Sequence, residues 1–380
     1  MLNYRYYNSD SKSGGHTMKQ YIIMIKPASS RCNMRCRYCF YEDVAASREE
    51  PIKKMMSDRD VEYMLDNIFG DIMLEDAVTF SFQGGEPTLV GLDWFENFVR
   101  QVRRRTSIPV QYTLQTNGST LDEAWCGFFQ REHVLVGLSL DGPMAVHDAN
   151  RPDINGRGTY NRVIRGKRLL EMHGVPYNVL MVLTNDLARH PLQVWRFLMQ
   201  QNISYVQFIS CMGPLDDRVS RYALTPERFA SFYKVLLLKW YESFLEGRYI
   251  SVKLFDDLVN LLRYGKVTAC GMTGQCTAQI VVESDGSVYP CDFYALDEWR
   301  LGNLTCQRLT EVLAAPASEA FVCRPRSLPG ACADCPYRAV CGGGCPRMER
   351  AIFRRGEERC GYRAFLEEAM PVFQELCRQL

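Results

Sequence analysis

The sequence predicts an α/β protein: a partial, TIM-like (β/α)6 barrel followed by a loop-rich C-terminal domain dense in cysteine. Two observations carry the prediction. Six short apolar runs, rich in β-branched and aromatic residues, alternate with helical patterns between residues 21 and 210. That order implies parallel strands joined by crossover helices, with fewer units than the eight of a closed barrel. Cysteine is the second: 16 of 380 residues, eleven of them between Cys270 and Cys377. The rest of the composition is ordinary for a globular chain, with 47% hydrophobic residues, 23% charged residues and a net charge of +1. It excludes disorder, collagen-like repeats and a coiled coil, and it gives no reason to expect a nucleic-acid or acidic-membrane partner.

Taken in order, residues 1–17 are polar and Ser/Gly-rich and read as a flexible tail, with Met18 an alternative start. Strands are predicted at 21–25, 78–82, 110–114, 134–140, 177–183 and 204–209. Helices are predicted near 58–69, 92–104, 122–131, 160–173 and 190–200, the first capped by Ser57 with Asp60 three residues on. The barrel unit is placed at 18–250 and the later domain at 251–380. Residues 226–247 and 254–264 read as helices, and AQIVVESDGSVYPCDFY, residues 278–294, as a hairpin turning at Ser284-Asp285-Gly286. Residues 323–360 lack apolar periodicity, so a segment of this kind needs bonds other than core burial to hold it. Metal–thiolate bonds are the obvious candidate.

The cysteines decide the chemistry. The N-terminus has no apolar signal region and no run approaches a membrane span, so the expected compartment is the cytoplasm, where thiols stay reduced. Clustered thiols there mean metal or catalysis. Cys32, Cys36 and Cys39 sit together just after the first strand. Three thiolates on one loop can hold three corners of a cubane iron–sulfur cluster and leave the fourth iron open to a substrate. A structural zinc site would want four ligands, and no His lies nearby. FQGGEP follows the second strand, where paired glycines allow close backbone approach. Ser139 and Arg151 follow the fourth, a polar group and a guanidinium suited to a ribose and a carboxylate.

These segments resemble the radical S-adenosylmethionine superfamily, and the later cysteines resemble its SPASM extension. IKPASSRCNMRCRYCFYED, FSFQGGEPTLVGL, LQTNGSTLD, VGLSLDGP, VVESDGSVYPCDFY and RLGN together resemble anaerobic sulfatase-maturating enzymes from about residue 19 onward. The resemblance implies three 4Fe–4S clusters with S-adenosylmethionine as co-substrate. Cys32, Cys36 and Cys39 would hold the first. Cys270, Cys276, Cys291 and Cys345 would hold one auxiliary cluster, and Cys332, Cys335, Cys341 and Cys360 the other. By the same matching, Tyr38, Gly85, Ser139, Arg151 and Met212 fall at contacts to S-adenosylmethionine, Met212 replacing an expected leucine at similar volume. Tyr41 and Gln83 fall where the target peptide approaches, and Asp292 at the general-base position. Cys126, Cys211, Cys306, Cys323 and Cys377 have no assigned work, although Cys211 adjoins the expected adenine contact.

The implied activity is oxidation of a Cys or Ser in a sulfatase to Cα-formylglycine. A 5′-deoxyadenosyl radical would take hydrogen from the β-carbon, Asp292 the proton, and an auxiliary cluster the remaining electron. The implied partners are an unfolded or nascent sulfatase polypeptide and a low-potential electron donor such as flavodoxin or ferredoxin. Two other readings fit the same residues. One is a maturase forming thioethers or crosslinks in another peptide, since fold does not fix substrate. The other is a non-catalytic zinc or iron–sulfur module.

Overall fold

The computed structural model describes residues 12–13, 16–216, 218–326, 328, 330–353 and 360–379. Of the tail expected over residues 1–17, Lys12–Ser13 and His16–Thr17 pair antiparallel and the rest lies outside the described residues. One sheet organises the remainder. Its parallel barrel strands are β1 (Gln20–Lys26), β2 (Ala77–Phe82), β3 (Val110–Thr116), β4 (Leu135–Ser139), β5 (Tyr177–Leu183) and β6 (Tyr205–Ser210), paired in chain order. β7 (Ser251–Val252) adds in parallel beside β6. On the opposite edge β8 (Ile280–Glu283) adds in parallel beside β1, followed by antiparallel β9 (Ser287–Tyr289) and β10 (Gly302–Asn303). The sheet stays open, as a partial barrel must.

The five expected crossover helices form where the sequence pattern places them, and two short helices, Phe40–Ala46 and Met144–Asn150, are additional. α1 (Phe40–Ala46) and α2 (Asp58–Phe69) follow β1, and α3 (Leu92–Arg105) follows β2. α4 (Glu123–Arg131), α5 (Met144–Asn150), α6 (Tyr160–Met172), α7 (Pro191–Gln200), α8 (Pro226–Leu245) and α9 (Lys253–Tyr264) come in turn. Ser57 and Asp60 close a reciprocal capping box on α2. On α3 the residues Trp94, Phe95, Phe98, Val99 and Val102 are buried, while the last turn carries Arg103, Arg104 and Arg105. The aromatic face packs on Phe82, whose ring lies 4.9 Å from Phe95 and 5.1 Å from Phe98. Each such ring removed from water contributes about 1.5–3 kcal/mol.

The C-terminal helix, Gly361–Gln379, packs on α8 and α9 through Phe365, Ala369 and Phe373, all fully buried. It begins at Gly361, where a β-carbon would lie 2.6 Å from the Pro226 carbonyl carbon, so only glycine permits the approach. Cys341, Ala351 and Phe353 are buried in the same core, anchoring the cysteine-rich segment to the barrel. The hairpin turns through Gly286 at φ 82 as expected. Its attachment to β1 was not foreseen from the sequence: Ile280, Val281 and Val282 are buried on both faces, and such a strand finds its place inside a parallel sheet. Among the described residues no helix is long and apolar enough to cross a membrane.

Candidate active site

The C-terminal ends of β1–β6 carry the chemistry-bearing residues, as in other parallel barrels. Beyond β1 the loop with Cys32, Cys36 and Cys39 is fixed to the segment after α5. Arg35 N–H donates to the Pro152 carbonyl at 2.8 Å and Arg37 N–H to that of Asn150 at 3.0 Å. Burial pushes the Cys32 thiol up to about 12 and the Cys36 thiol up to about 11, the nearby Arg151 partly opposing the latter. Each of the three thiols is further raised by a neighbour within the trio or by Glu42 or Glu86, so the loop gathers them closely.

Arg151 is buried. Its Nη1 donates to the Tyr38 hydroxyl at 3.0 Å and lies 3.7 Å from Asp141 Oδ1. The Tyr38 hydroxyl donates to the other oxygen of Asp141. Asp141 also accepts from the Val182 N–H at 3.0 Å, tying β4 to β5. Burial raises its carboxyl above the ordinary range, against the pull of Arg151. Ser139 ends β4 two residues earlier and is buried. Cys211, next to Met212, is close enough to Asp141 for that charge to add to the burial that raises its thiol. Tyr38, Ser139, Arg151 and Met212 therefore share one rim. Gly85 lies at the end of β2, its N–H donated to the Ser29 carbonyl at 2.9 Å. There a β-carbon would lie 2.6 Å from the Arg31 carbonyl carbon and 2.8 Å from that of Ser30. Asp141 escaped the sequence reading, although it stands in the quoted SLDGP stretch.

Asp292 opens the short turn Asp292–Tyr294 directly after Cys291. Its Oδ1 lies 2.5 Å from Nζ of Lys26, a side chain wholly buried at the end of β1. Lys26 also stands 3.5 Å from Glu283 and 3.9 Å above the Tyr41 ring. Glu283 accepts one bifurcated hydrogen bond from the Tyr41 hydroxyl, with its oxygens at 2.7 and 2.9 Å, and another from Arg48 Nη2 at 3.0 Å. Tyr41 thus directs its hydroxyl into Glu283, and burial with the adjacent carboxylate raises it well above the usual phenol range. Gln83, half-buried, reaches Ser81 Oγ at 3.5 Å. Lys26, Arg48 and Glu283 were missed, although a charged residue closing each apolar run, YIIMIK and IVVE, was a visible signal.

The later thiols fall into two neighbourhoods. Burial raises Cys341, and Cys360, Cys335 and Cys332 add to it. Cys360 in turn is raised by burial and then by Cys332 and Cys335. Separately, burial pushes Cys291 up to about 12, with Cys345 and Cys270 contributing, while Cys270 feels Cys345 and Cys276. These are the two interleaved sets that the resemblance implies. Arg326 stands between them, donating to the Gly274 carbonyl at 2.9 Å and the Gly343 carbonyl at 2.6 Å. Three thiols at the front and four in each later set fit the donor chemistry of 4Fe–4S clusters. All sixteen cysteines are free thiols. Of those without assigned work, Cys126 and Cys211 are buried, Cys306 and Cys323 exposed, and Cys377 half-buried.

A parallel partial barrel opening on a three-thiol loop defines a radical S-adenosylmethionine enzyme, and residues 27–197 match the Radical SAM superfamily. Residues 270–336 match an iron-sulfur cluster-binding domain, SPASM. The cysteine-type anaerobic sulfatase-maturating enzyme of Clostridium perfringens (strain ATCC 13124) is 38% identical, over 92% of this chain and 96% of its own. A serine-type enzyme of Klebsiella pneumoniae is 30% identical, over 94% of this chain and 89% of its own. The solved structure of native anSMEcpe with bound AdoMet has a TM-score of 0.87 at 36% identity, covering 94% of this chain and 99% of that one. The chain belongs to the anaerobic sulfatase-maturating enzymes and is a radical S-adenosylmethionine oxidoreductase. Streptococcus suis SuiB bound to precursor peptide SuiA shares the fold alone, at 16% identity and TM-score 0.60 over 87% of this chain and 72% of that one.

Proposed function

We propose that this chain oxidises a sulfatase cysteine to Cα-formylglycine, accepts serine less readily, and uses Asp292 as proton acceptor. The preference for cysteine is supported by the higher identity to cysteine-type relatives, 38% against 30%. The observation carrying the site assignment is the register of β8 on β1, which sets Glu283 beside Lys26. That pairing brings the hairpin, and with it Cys291 and Asp292, to the rim where the front thiols lie. One edge of the sheet then presents a carboxylate for the departing proton and a thiol of the first auxiliary set.

When bound, the clusters exchange single electrons and S-adenosylmethionine supplies the radical that removes hydrogen from the target β-carbon. The chain's residues do the rest. Cys32, Cys36 and Cys39 would hold the front cluster; Cys270, Cys276, Cys291 and Cys345 the first auxiliary one; Cys332, Cys335, Cys341 and Cys360 the second. Arg151, held by Tyr38 and Asp141, presents its remaining guanidinium N–H groups to the carboxylate of S-adenosylmethionine, with Tyr38, Ser139, Gly85 and Met212 along the same rim. Gln83 lines the approach of the peptide, and Tyr41, itself buried, underlies it through Lys26. Asp292 takes the thiol or hydroxyl proton at a carboxylate that stays 15% exposed and so within reach of substrate. Loss of one hydrogen atom, one proton and one electron leaves a thioaldehyde from Cys, which water converts to the aldehyde with release of sulfide; Ser gives the aldehyde directly.

The reading extends to a cytoplasmic setting, a flavodoxin or ferredoxin donor, a nascent or unfolded sulfatase polypeptide as target, and units spanning 18–250 and 251–380. Sixteen free thiols support the reducing compartment. The test is anaerobic incubation of iron-loaded protein with S-adenosylmethionine, a reductant and sulfatase-motif peptides carrying Cys or Ser. Formation of 5′-deoxyadenosine with a peptide aldehyde, faster from Cys, is expected. Asp292→Asn should still cleave S-adenosylmethionine yet lose most of the aldehyde; product at the wild-type yield removes Asp292 from the role.

A further inference from the structure

Lys26 is a buried cation with an unusual set of neighbours. Its side chain is fully inaccessible, and the cost of desolvating an ammonium is large unless opposite charge stands against it. Two carboxylates do so, at unequal range: Asp292 Oδ1 at 2.5 Å and Glu283 Oε1 at 3.5 Å. Glu283 is already satisfied. Arg48 Nη2 meets it at 3.0 Å and the Tyr41 hydroxyl donates to both its oxygens. Charge therefore pairs off as Arg48 with Glu283 and Lys26 with Asp292. Apart from those ion pairs, neither Lys26 Nζ nor Asp292 Oδ1 has a hydrogen-bond partner among the described residues.

The ammonium itself has little freedom. The Tyr41 ring lies under it at 3.9 Å. Gly84, at φ 110, packs so tightly on the lysine stem that a β-carbon there would stand 3.1 Å from Lys26 Cβ and 3.3 Å from Cγ. The stem is thus clamped by the turn after β2, and the head group by an aromatic ring. Since Asp292 Oδ1 is buried, the exposed fraction of that side chain lies on its remaining atoms. We propose that Lys26 is a positioning residue for the oxidation: it seats Asp292 Oδ1 in the interior and turns Oδ2 toward the target thiol or hydroxyl. The inference rests on the reading of Asp292 as proton acceptor, and it gives the buried lysine a task beyond neutralising Glu283.

The experiment measures coupling, the aldehyde formed per 5′-deoxyadenosine, together with iron content, melting midpoint and the peptide KM. Lys26→Met/Glu283→Gln removes one charge of each sign, leaving Arg48 and Asp292 to balance. With iron content and melting retained, its coupling is expected to fall 10- to 100-fold at little change in KM, as when a reacting group is misplaced by about 1 Å. A lysine that only neutralised Glu283 would give wild-type coupling there. Lys26→Arg keeps the buried charge, and hence the fold, but a broader guanidinium displaces Oδ1; coupling should fall severalfold. Wild-type coupling in either variant overturns the assignment. Asp292→Asn run alongside separates the two ideas: if it also keeps wild-type coupling, the proton-acceptor reading is what fails. If it loses coupling while the Lys26 variants keep it, the failure belongs to Lys26 alone.

Discussion

Gly85→Ala places one methyl group where the structure leaves no room for it. The added carbon would lie 2.6 Å from the Arg31 carbonyl carbon and 2.8 Å from that of Ser30. Non-bonded carbons rest at about 3.5–4.0 Å, so the gap must open by roughly 1 Å. No side chain can yield, because the opposing atoms are backbone. Arg31 immediately precedes Cys32, and the Arg31 carbonyl also accepts the Glu86 N–H at 2.8 Å. Opening the gap therefore either breaks that bond or carries the front thiol loop away from the rim. Overpacking of this kind costs about 1–3 kcal/mol of stability, too little to unfold a chain of this size. The functional cost is larger: a shift of about 1 Å at a reacting centre is worth about 100-fold in rate. The assay is anaerobic 5′-deoxyadenosine formation under saturating reductant, beside iron content and a thermal melt. The expected result is a folded protein whose melting point falls modestly and whose cleavage rate falls by about two orders of magnitude. A variant that cleaves S-adenosylmethionine at the wild-type rate would refute the claim that this contact sets the loop.

Two further outcomes follow from the same geometry. His147 is fully buried, accepts the Asp141 N–H on Nδ1 at 3.3 Å and meets Thr159 Oγ1 through Nε2 at 3.0 Å, which fixes a neutral ring. Burial, aided by Arg151, holds its pKa down at about 3, against 6.5 for the unfolded chain. The unfolded state therefore binds the proton first, so this contribution to stability is whole above about pH 6.5 and falls as pH drops toward 3. Between pH 7 and pH 5 the loss amounts to about 2 kcal/mol, and His147→Gln should show a correspondingly flatter profile in denaturant melts. Equal slopes would contradict the buried neutral ring. For the later thiols, loaded protein should hold about twelve irons, and Cys332→Ala/Cys335→Ala about eight, with S-adenosylmethionine cleavage surviving. A content of only about four irons in that double variant would show that the two auxiliary sets do not load independently.

The strands, helices and thiol groupings were legible because each rests on a local signal. Runs such as YIIMI and VTFSF declare buried strands, Ser57 with Asp60 declares a helix start, and the x3/x2 spacing declares a three-thiol loop. The attachment of β8 to β1 has no local signal. Residues 20–26 and 280–283 lie more than 250 positions apart, and an apolar run of three reads equally as part of a separate domain. The site inherits that blindness. Asp292 was reached only through resemblance, since an Asp on a hairpin is most often solvated. Lys26 was passed over because a lysine ending a strand is ordinarily an exposed boundary residue. Its burial becomes intelligible only once Glu283 arrives from the far end of the chain.

That arrival also explains why charge is tolerated in the sheet at all. Lys26, Arg48 and Glu283 are fully buried side chains, and Asp292 beside them is half-buried. Replacing such a network with well-packed apolar residues is commonly neutral or stabilising by about 1–4 kcal/mol, whereas removing one member alone costs about 3–5 kcal/mol. Stability is thus a weak reason for its presence, and mutual dependence a strong one. An apolar plug would hold β8 against β1 just as firmly, because Val281 and Val282 already pair with Met24 and Ile25. What it could not do is fix the direction of a carboxylate. Met24 and Ile25 hold the hairpin; Lys26, the next residue, meets the acid that the hairpin delivers.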